Sequence, residues 1–153
     1  MDLIALEELH RLKYRYLRAL DLKLWDEFAD TLAPDATAHY GERLDFTGRD
    51  AIVQYMSETV GRDIITVHHC HQPEIDVDGD QATGRWALDD TVIITSHRAV
   101  LRGAAFYEDR YVRLDGAWRI QHTGYQRIYE AMISLKDLPS YNLTANRWAA
   151  PAS

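Results

Sequence analysis

The stretch Thr66–Asp90, TVHHCHQPEIDVDGDQATGRWALDD, decides the fold that this chain is expected to adopt. Alternating residues flank Asp78-Gly79-Asp80, and an Asp-Gly turn between two alternating runs predicts an antiparallel β-hairpin. After the turn, one phase of the strand is apolar except for a single aspartate: Trp86, Leu88, Asp90, Val92 and Ile94. A carboxylate in an apolar row needs a partner or a shifted protonation. Asp90 is therefore a candidate site residue.

Helical patterns precede this hairpin, and strand patterns follow. Apolar residues at three- and four-residue steps predict helices over residues 4–20, 24–32 and 49–60, with Pro34 ending the second. Period-two patterns predict a short strand at 36–40 and then strands at 64–71, 73–78, 81–95, 100–114 and 117–129. Helices followed by long antiparallel strands indicate an α+β domain with helices on one face of a strongly curved sheet. Gly84 and Gly103 are the expected positions of a bend or bulge.

The domain is predicted to cover residues 1–135, followed by a tail over 136–153. The tail contains Pro139 and Pro151 and is expected to form a short helix and then irregular chain, acting as a lid or a disordered end. A second Asp-Gly turn at Asp115-Gly116 predicts another hairpin.

The net charge and the cysteine count indicate which kinds of partner and which cellular compartment to expect. Seventeen basic and 24 acidic residues give a net charge of -7, which argues against nucleic acid or an anionic membrane as the main partner. The single cysteine, Cys70, excludes an internal disulfide and a metal cage made only of cysteines, and suits a reducing compartment. No signal-peptide pattern and no apolar stretch of membrane-spanning length are visible, so we expect a soluble cytoplasmic protein.

Short strings along most of the chain resemble a known family. They are YLRALD at 16–21, WDE at 25–27, His68, HQPEI at 71–75, ATGRW at 82–86, Asp90, AFY at 105–107 and TGYQRI at 123–128. In this order and spacing they resemble the SnoaL-like branch of the nuclear transport factor 2-like (NTF2-like) superfamily. Within it they are most similar to bile acid 7α-dehydratases and more distantly to scytalone dehydratases. The resemblance spans residues 8–130 and implies a cone-shaped α+β barrel with a deep pocket, built from three N-terminal helices on a curved mixed or antiparallel sheet.

The same resemblance implies the working residues of the pocket. Carried over position by position, the catalytic set is Tyr16, Asp21, His68, Asp90 and Arg127. We expect the pocket walls to include Trp25, Trp86, Tyr107 and Tyr125. These relatives are cofactor-free lyases, so no cofactor is expected. His69-Cys70, the segment 96–102 and the tail depart from the pattern, which leaves the substrate open.

Each implied role has a chemical reason and a structural alternative. A neutral imidazole at His68 can accept a proton near physiological pH, and Asp21 would fix its tautomer and stabilise the imidazolium. Tyr16 would donate a hydrogen bond to a substrate carbonyl. Arg127 would bind an anionic group or hold Asp90. The alternatives are a histidine satisfied in the core or at the rim, a carboxylate that merely ends a helix, a core tyrosine and a structural ion pair.

The histidines at 68, 69 and 71 invite comparison with a metal site. Strand alternation turns His69 and His71 away from His68, so at most two of the three share a side. We expect no metal.

The predicted function is that of a cofactor-independent dehydratase that removes a proton next to a carbonyl and eliminates water from a hydrophobic, steroid-like or polycyclic ketone. A double-bond isomerase or a polyketide cyclase would begin with the same proton abstraction. From a different class, the alternatives are a non-catalytic small-molecule binder and a protein like the small subunit of an oxygenase. Apolar residues in both strand phases, such as Ile93 beside Val92 and Ile94, favour a homo-oligomer, with a trimer favoured and a dimer possible.

Overall fold

Three helices cover one face of a six-stranded mixed sheet. The computed structural model describes residues 1–151; Ala152 and Ser153, the end of the predicted tail, lie outside it. The elements are α1 (Leu3–Asp21), α2 (Trp25–Asp30), β1 (Leu32–Tyr40), β2 (Asp45–Thr47), α3 (Arg49–Thr59), β3 (Ile64–Asp78), β4 (Gln81–Ile94), β5 (Ala99–Leu114) and β6 (Ala117–Ser134). The strand order is β2-β1-β6-β5-β4-β3, with β1 parallel to β6. The predicted α+β class is confirmed.

Helix α1 packs an apolar stripe against the sheet and ends at a site residue. Its buried positions recur at three- and four-residue steps: Ala5, Leu9, Leu12, Lys13, Tyr16, Leu17, Ala19 and Leu20. The Asp2 side chain accepts a hydrogen bond from the backbone N–H of Ala5 at 3.0 Å and so caps the first turn. The helix stops at Asp21, and Lys23 then adopts a positive φ of 57° that redirects the chain into α2.

Both predicted hairpins are confirmed. Asp78 pairs with Gln81 across a two-residue turn in which Gly79 has a φ of 58°. In the second hairpin Leu114 pairs with Ala117, and Asp115 and Gly116 have φ values of 51° and 79°. Positive φ at both central residues is what a type I′ turn requires, which explains the Asp115-Gly116 sequence of the second hairpin. In the first hairpin the central residues are Gly79 and Asp80, and only Gly79 has a positive φ.

Several predicted element bounds are wrong, and irregular strand pairing explains most of them. Helix α2 ends at Asp30 rather than 32, because Leu32 already belongs to β1. Pro34 lies inside β1, where the register with β6 shifts between Leu32 and Thr37 and no ladder N–H is needed. The predicted break between strands at residue 72 is instead a bulge: Gln72 has a φ of 51°, and β3 continues through it.

Other corrections concern β2, β6 and the glycines. The three-residue strand β2 was not predicted, and β6 continues to Ser134 beyond the expected end at 129. The pairing of β4 with β5 runs without a shift across both Gly84 and Gly103. Neither glycine therefore marks a bulge in that pairing; both lie where a bulky side chain from a neighbouring strand needs space.

The C-terminal segment returns to the end of α1. A single 3-10 turn at Leu135–Asp137 replaces the predicted short helix, and residues 138–151 form neither helix nor strand. The ring of Trp148 lies 3.9 Å from the Lys23 ammonium, and Arg62 donates hydrogen bonds to the carbonyl of Trp148 at 3.4 and 3.5 Å. The division into a domain and a lid stays a prediction. In the part of the chain that the structure describes, no helix is both long enough and apolar enough to cross a membrane.

Candidate functional site

The carboxylate of Asp21, at the end of α1, bonds both the ring and the backbone N–H of His68 on β3. The Nδ1 atom of His68 lies 2.6 Å from Asp21 Oδ1, and the backbone N–H of His68 donates to Asp21 Oδ2 at 2.8 Å. Thr66 Oγ1 donates to Asp21 Oδ1 at 2.9 Å. An ionised carboxylate only accepts, so Nδ1 carries the hydrogen and Nε2 has the free lone pair. None of these bonds uses Nε2, which is the atom available to a substrate.

Burial distinguishes this pair from other His–Asp contacts in the chain. The side chains of His68 and Asp21 are 13% and 20% exposed. The contacts His39–Asp45 and His71–Asp89 have similar distances of 2.5 and 2.9 Å, but their side chains are 41% exposed or more. Low exposure strengthens a charge-assisted hydrogen bond. The Asp21–His68 pair is therefore the one whose tautomer the protein holds most firmly.

Asp90 lies directly opposite His68 on the neighbouring strand and is paired. His68 and Asp90 are register partners between β3 and β4. The Asp90 side chain is 4% exposed, and both of its oxygens accept from Arg127, at 2.5 Å from Nη1 and 3.0 Å from Nη2. Glu130 Oε2 lies 3.1 Å from Arg127 Nε. The charge in the apolar row is thus compensated by a fork-shaped ion pair.

The ion pairs leave the site rich in negative charge. Two carboxylates, those of Asp90 and Glu130, contact the Arg127 guanidinium, and a third, that of Asp21, contacts His68. Burial opposes the charge of Arg127, but the hydrogen bond and the charge of Asp90 outweigh it and raise the pKa of Arg127 above its ordinary value. Arg127 therefore holds Asp90, one of the two roles considered from the sequence, and its hydrogen-bonding capacity is largely used within the protein.

Tyr16 is fully buried and bonds a second tyrosine that sequence reasoning missed. The hydroxyls of Tyr16 and Tyr40 lie 2.6 Å apart. Burial, followed by the neighbouring tyrosines, raises the pKa of Tyr16 well above its ordinary value, and burial likewise raises the pKa of Tyr40. Both stay protonated, and since one hydroxyl donates to the other, one O–H hydrogen remains for an acceptor. The alternation of buried Ala36, Ala38 and Tyr40 in β1 was the available signal.

Aromatic contacts connect three of the four expected wall residues, Trp25, Tyr107 and Tyr125. Trp25 is half-buried and packs against Phe28, which in turn contacts Tyr16. Tyr107 and Tyr125 are in edge-to-face contact at 5.9 Å, and Tyr125 also lies 5.9 Å from Tyr40. These aromatic rings connect into one apolar cluster beside the Tyr16–Tyr40 pair.

Trp86 belongs to the buried core, and its register partner on β5 is Tyr107. It is fully buried, and its indole N–H donates to the Tyr111 hydroxyl at 2.9 Å. It lies four residues before Asp90 on β4, a distance of about 13 Å along a strand. The ring of Trp86 is in edge contact with that of Tyr14, and its role as a wall of the pocket stays a prediction.

A bulge changes the face of Tyr129. The sequence phase places Arg127, Tyr125 and Tyr129 in one row. In the structure Arg127 pairs with Ala105 and Tyr129 with Ala104, so Ile128 is an extra residue between them. An extra residue reverses the alternation, and Tyr129 faces away from Arg127.

A buried ion pair lies against the aromatic cluster, and it was not predicted from the sequence. Lys13 Nζ lies 2.8 Å from Asp109 Oδ2, and both side chains are fully buried. The ammonium lies 3.4 Å from the centre of the Tyr107 ring, a cation–π contact. Asp109 also accepts from the Tyr111 hydroxyl at 2.8 Å. Lys13 in the apolar stripe of α1, and an aspartate in the inward phase of β5, were the signals for it.

The Asp21–His68 pair can be reached from the seam between α1 and β3. A cavity of about 420 Å³ lies there, and its lining consists of Tyr14, Leu17, Arg18, Asp21, His68, His69, Cys70 and His71. Tyr16, Asp90 and Arg127 do not belong to that lining. Of the five residues of the expected catalytic set, Asp21 and His68 line this cavity, Asp90 and Arg127 pair with each other, and Tyr16 bonds Tyr40.

The three neighbouring histidines are divided between two faces, as alternation predicts. His68 is half-buried, whereas His69 and His71 are exposed and their rings lie 6.3 Å apart on the other face. Within residues 1–151, no three His, Cys, Asp or Glu side chains are arranged to hold a metal ion.

Comparisons with known proteins place the chain in a family. Residues 1–124 match the family model described as a SnoaL-like domain. The chain belongs to the SnoaL-like domain family. An uncharacterized protein of Mycobacterium tuberculosis is 29% identical over 115 residues, a match that covers 74% of this chain and 78% of the relative.

Solved structures of this family's fold include proteins named as lyases. A protein from Novosphingobium aromaticivorans, described as a candidate scytalone dehydratase, has a TM-score of 0.79 and 23% identity over 99% of this chain and 97% of its own. A hexachlorocyclohexane dehydrochlorinase from Novosphingobium barchaimii has a TM-score of 0.78 and 16% identity over 86% of this chain and 92% of its own. At these identities the likeness shows the NTF2-like fold.

Proposed function

We propose that this protein is a cofactor-independent lyase that eliminates water from a hydrophobic ketone, in the manner of the bile acid 7α-dehydratases its sequence resembles. The observation that carries the proposal is the mostly buried Asp21–His68 pair at 2.6 Å, in which Nε2 of His68 is left available. A base positioned by a carboxylate is the group that such an elimination needs first.

The proposed reaction is a proton transfer followed by loss of a hydroxyl group. Nε2 of His68 takes the hydrogen from the carbon next to the carbonyl, and the electron pair of that C–H bond forms an enolate. The hydroxyl O–H of the Tyr16–Tyr40 pair stabilises the enolate oxygen. The β-hydroxyl then leaves with the proton from the imidazolium, so the products are an unsaturated ketone and one water. Asp21 stabilises the imidazolium between the two steps.

Charge and composition of the site indicate an uncharged, apolar substrate. The carboxylates of Asp21, Asp90 and Glu130 contact His68 or Arg127, and the Arg18 guanidinium in the cavity lining is paired with Glu27. A free carboxylate or phosphate on the reacting part of the substrate would therefore meet cations that are already paired, and it is disfavoured. The nearby walls are aromatic. A steroid-like or polycyclic ketone fits both features.

We also propose that the protein acts as a homo-oligomer, with a trimer favoured. On the sheet face away from the helices, Val67, Phe106, Tyr129 and Ile133 are large apolar side chains with substantial exposure. Such a patch on one face is typical of a subunit interface.

The test is product analysis with a matched histidine control. Hydroxylated 3-oxo steroids and polycyclic β-hydroxyketones are incubated with the protein, and mass spectrometry follows the loss of one water. Elimination changes the mass, whereas isomerisation and cyclisation leave it unchanged, so the same assay separates the alternatives. His68→Ala is expected to abolish turnover, and His71→Ala, which removes an exposed His–Asp contact, to preserve it. Near-wild-type turnover by His68→Ala would refute the assigned role.

A further inference from the structure

The ion pair of Asp90 and Arg127 spans three strands. Asp90 is on β4, Arg127 is on β6, and β5 runs between them. The β5 residue directly opposite Asp90 is Gly103. To reach both oxygens of Asp90, the guanidinium of Arg127 must therefore pass over β5 at this glycine.

The space above Gly103 is occupied by Arg127. A Cβ atom at residue 103 would lie 2.5 Å from Arg127 Nη1, 3.0 Å from its Cζ and 3.0 Å from the carbonyl oxygen of Tyr129. Contacts this short require the neighbour to move. The φ of Gly103 is not in the left-handed region. The backbone conformation of residue 103 therefore does not require glycine. What requires glycine is the space that the Arg127 side chain occupies.

We infer that Gly103 is a positioning residue for the site: its missing side chain forms the slot that lets Arg127 reach across β5 and neutralise Asp90. Register places His68, Asp90 and Gly103 in one row across β3, β4 and β5. If the slot is filled, Arg127 is displaced and Asp90 is left as a buried charge beside His68. An unpaired buried carboxylate is costly, and His68, the register partner of Asp90 on β3, could compensate it in its cationic form.

The chain offers a matched control at Gly84. This glycine is on β4, also outside the left-handed region, and a Cβ there would lie 2.9 Å from Cε2 of Tyr111. Gly84→Ala therefore creates a comparable steric conflict in the same sheet, away from Asp90 and Arg127. It measures the general cost of adding a methyl group to a crowded sheet face.

The first readout is stability and does not depend on the substrate. Gly103→Ala is expected to lower the melting temperature, and at least half of that loss is expected to disappear in an Arg127→Gln background, because the atoms that conflict most are gone. The loss caused by Gly84→Ala is expected to be the same in both backgrounds. If Gly103→Ala does not fold, the double variant is still expected to fold. Equal losses for Gly103→Ala in both backgrounds, or failure of both variants to fold, would overturn the inference.

The second readout is the position of Arg127 and its effect on catalysis. A crystal structure of Gly103→Ala is expected to show the forked contact with Asp90 broken, and an intact contact would overturn the inference.

The effect on turnover rests on the function proposed above. On a confirmed substrate the acid limb of the pH–rate profile is expected to move up by about one pH unit or more, because the unpaired carboxylate favours the cationic, inactive form of the base. Gly84→Ala is expected to keep the wild-type profile. An unmoved acid limb together with a displaced Arg127 would refute the link to His68. The melting temperatures and the crystal structure need no substrate. They can therefore refute the role of Gly103 even if the proposed function is right, and support it even if the proposed function is wrong.

Discussion

Asp21→Asn is the substitution whose consequences the structure defines most fully. The carboxylate accepts from three donors: Thr66 Oγ1, the backbone N–H of His68 and Nδ1–H of His68. An asparagine has one accepting oxygen and one donating NH₂ group in the same positions. If the oxygen keeps Thr66 and Nδ1, the NH₂ group faces the backbone N–H of His68, which is a donor–donor conflict. If the amide turns over, Nδ1 must become the acceptor and Nε2 takes the hydrogen.

Both orientations cost free energy, and the second also removes the base. A buried donor left without an acceptor costs about 1–3 kcal/mol, so the free energy of unfolding is expected to fall by about that amount. In the turned-over orientation Nε2 carries a hydrogen and cannot accept the substrate proton. Loss of the correct tautomer in a comparable Asp–His arrangement reduces kcat by about 10⁴, and we expect a loss of about 10³ to 10⁴ here.

Three measurements and one control test this expectation. Urea unfolding gives the free energy, ¹⁵N NMR of His68 reports which ring nitrogen carries the hydrogen, and turnover is followed on a confirmed substrate. The control is Asp89→Asn, which alters the half-exposed contact with His71 and is expected to change stability by less than about 0.5 kcal/mol. Wild-type turnover with an unchanged His68 tautomer in Asp21→Asn would refute the reasoning.

Three further predictions follow from other buried groups. Tyr40→Phe removes the hydroxyl bonded to Tyr16 and is expected to lower kcat more than it raises KM, since the lost bond supports the enolate; a KM effect alone would contradict this. Burial, partly offset by Lys13, raises the pKa of Cys70 to about 11 from 9.0, so iodoacetamide at pH 8 is expected to alkylate it at least about 100-fold more slowly than a cysteine peptide; labelling at the peptide rate would show that the thiol is not shielded. Burial, then the charge of Arg110, lowers the pKa of His122 below 6.5, so the unfolded chain binds the extra proton and this contribution to stability is lost as pH falls through 6.5. In His122→Gln, unfolding free energies measured at pH 7.5 and 5.5 are therefore expected to differ less than in the wild type, and an equal or larger difference would contradict the assignment.

Local sequence patterns were sufficient for the parts of the fold that depend on neighbouring residues. The Asp-Gly signals predicted both hairpins because a positive φ, found at Gly79 in the first turn and at Asp115 and Gly116 in the second, leaves few residue choices. Period-two alternation then placed Asp90 on the buried face, where the structure finds it. The same rule failed at Tyr129, because the extra residue Ile128 reverses the phase and nothing in the local sequence marks it.

Long-range contacts could not be predicted from local patterns. Asp21 and His68 are 47 residues apart, and their pairing was expected only from the family resemblance. The Tyr16–Tyr40 bond and the Lys13–Asp109 pair were missed because each joins a helix to a strand whose register the sequence does not reveal. Gly103 was interpreted as a bend for a similar reason, since its actual neighbour is the side chain of a residue on β6.

Hydrogen exchange at the carbon next to the carbonyl tests the central claim most directly. Candidate hydroxyketones are incubated with the protein in D₂O, and NMR follows deuterium entry while mass spectrometry follows loss of water. The wild type and His71→Ala are both expected to promote exchange and elimination, and His68→Ala is expected to promote neither while still binding the ketone. Elimination by His68→Ala at the wild-type rate, or ketone binding by the wild type without exchange or mass change, would contradict that claim.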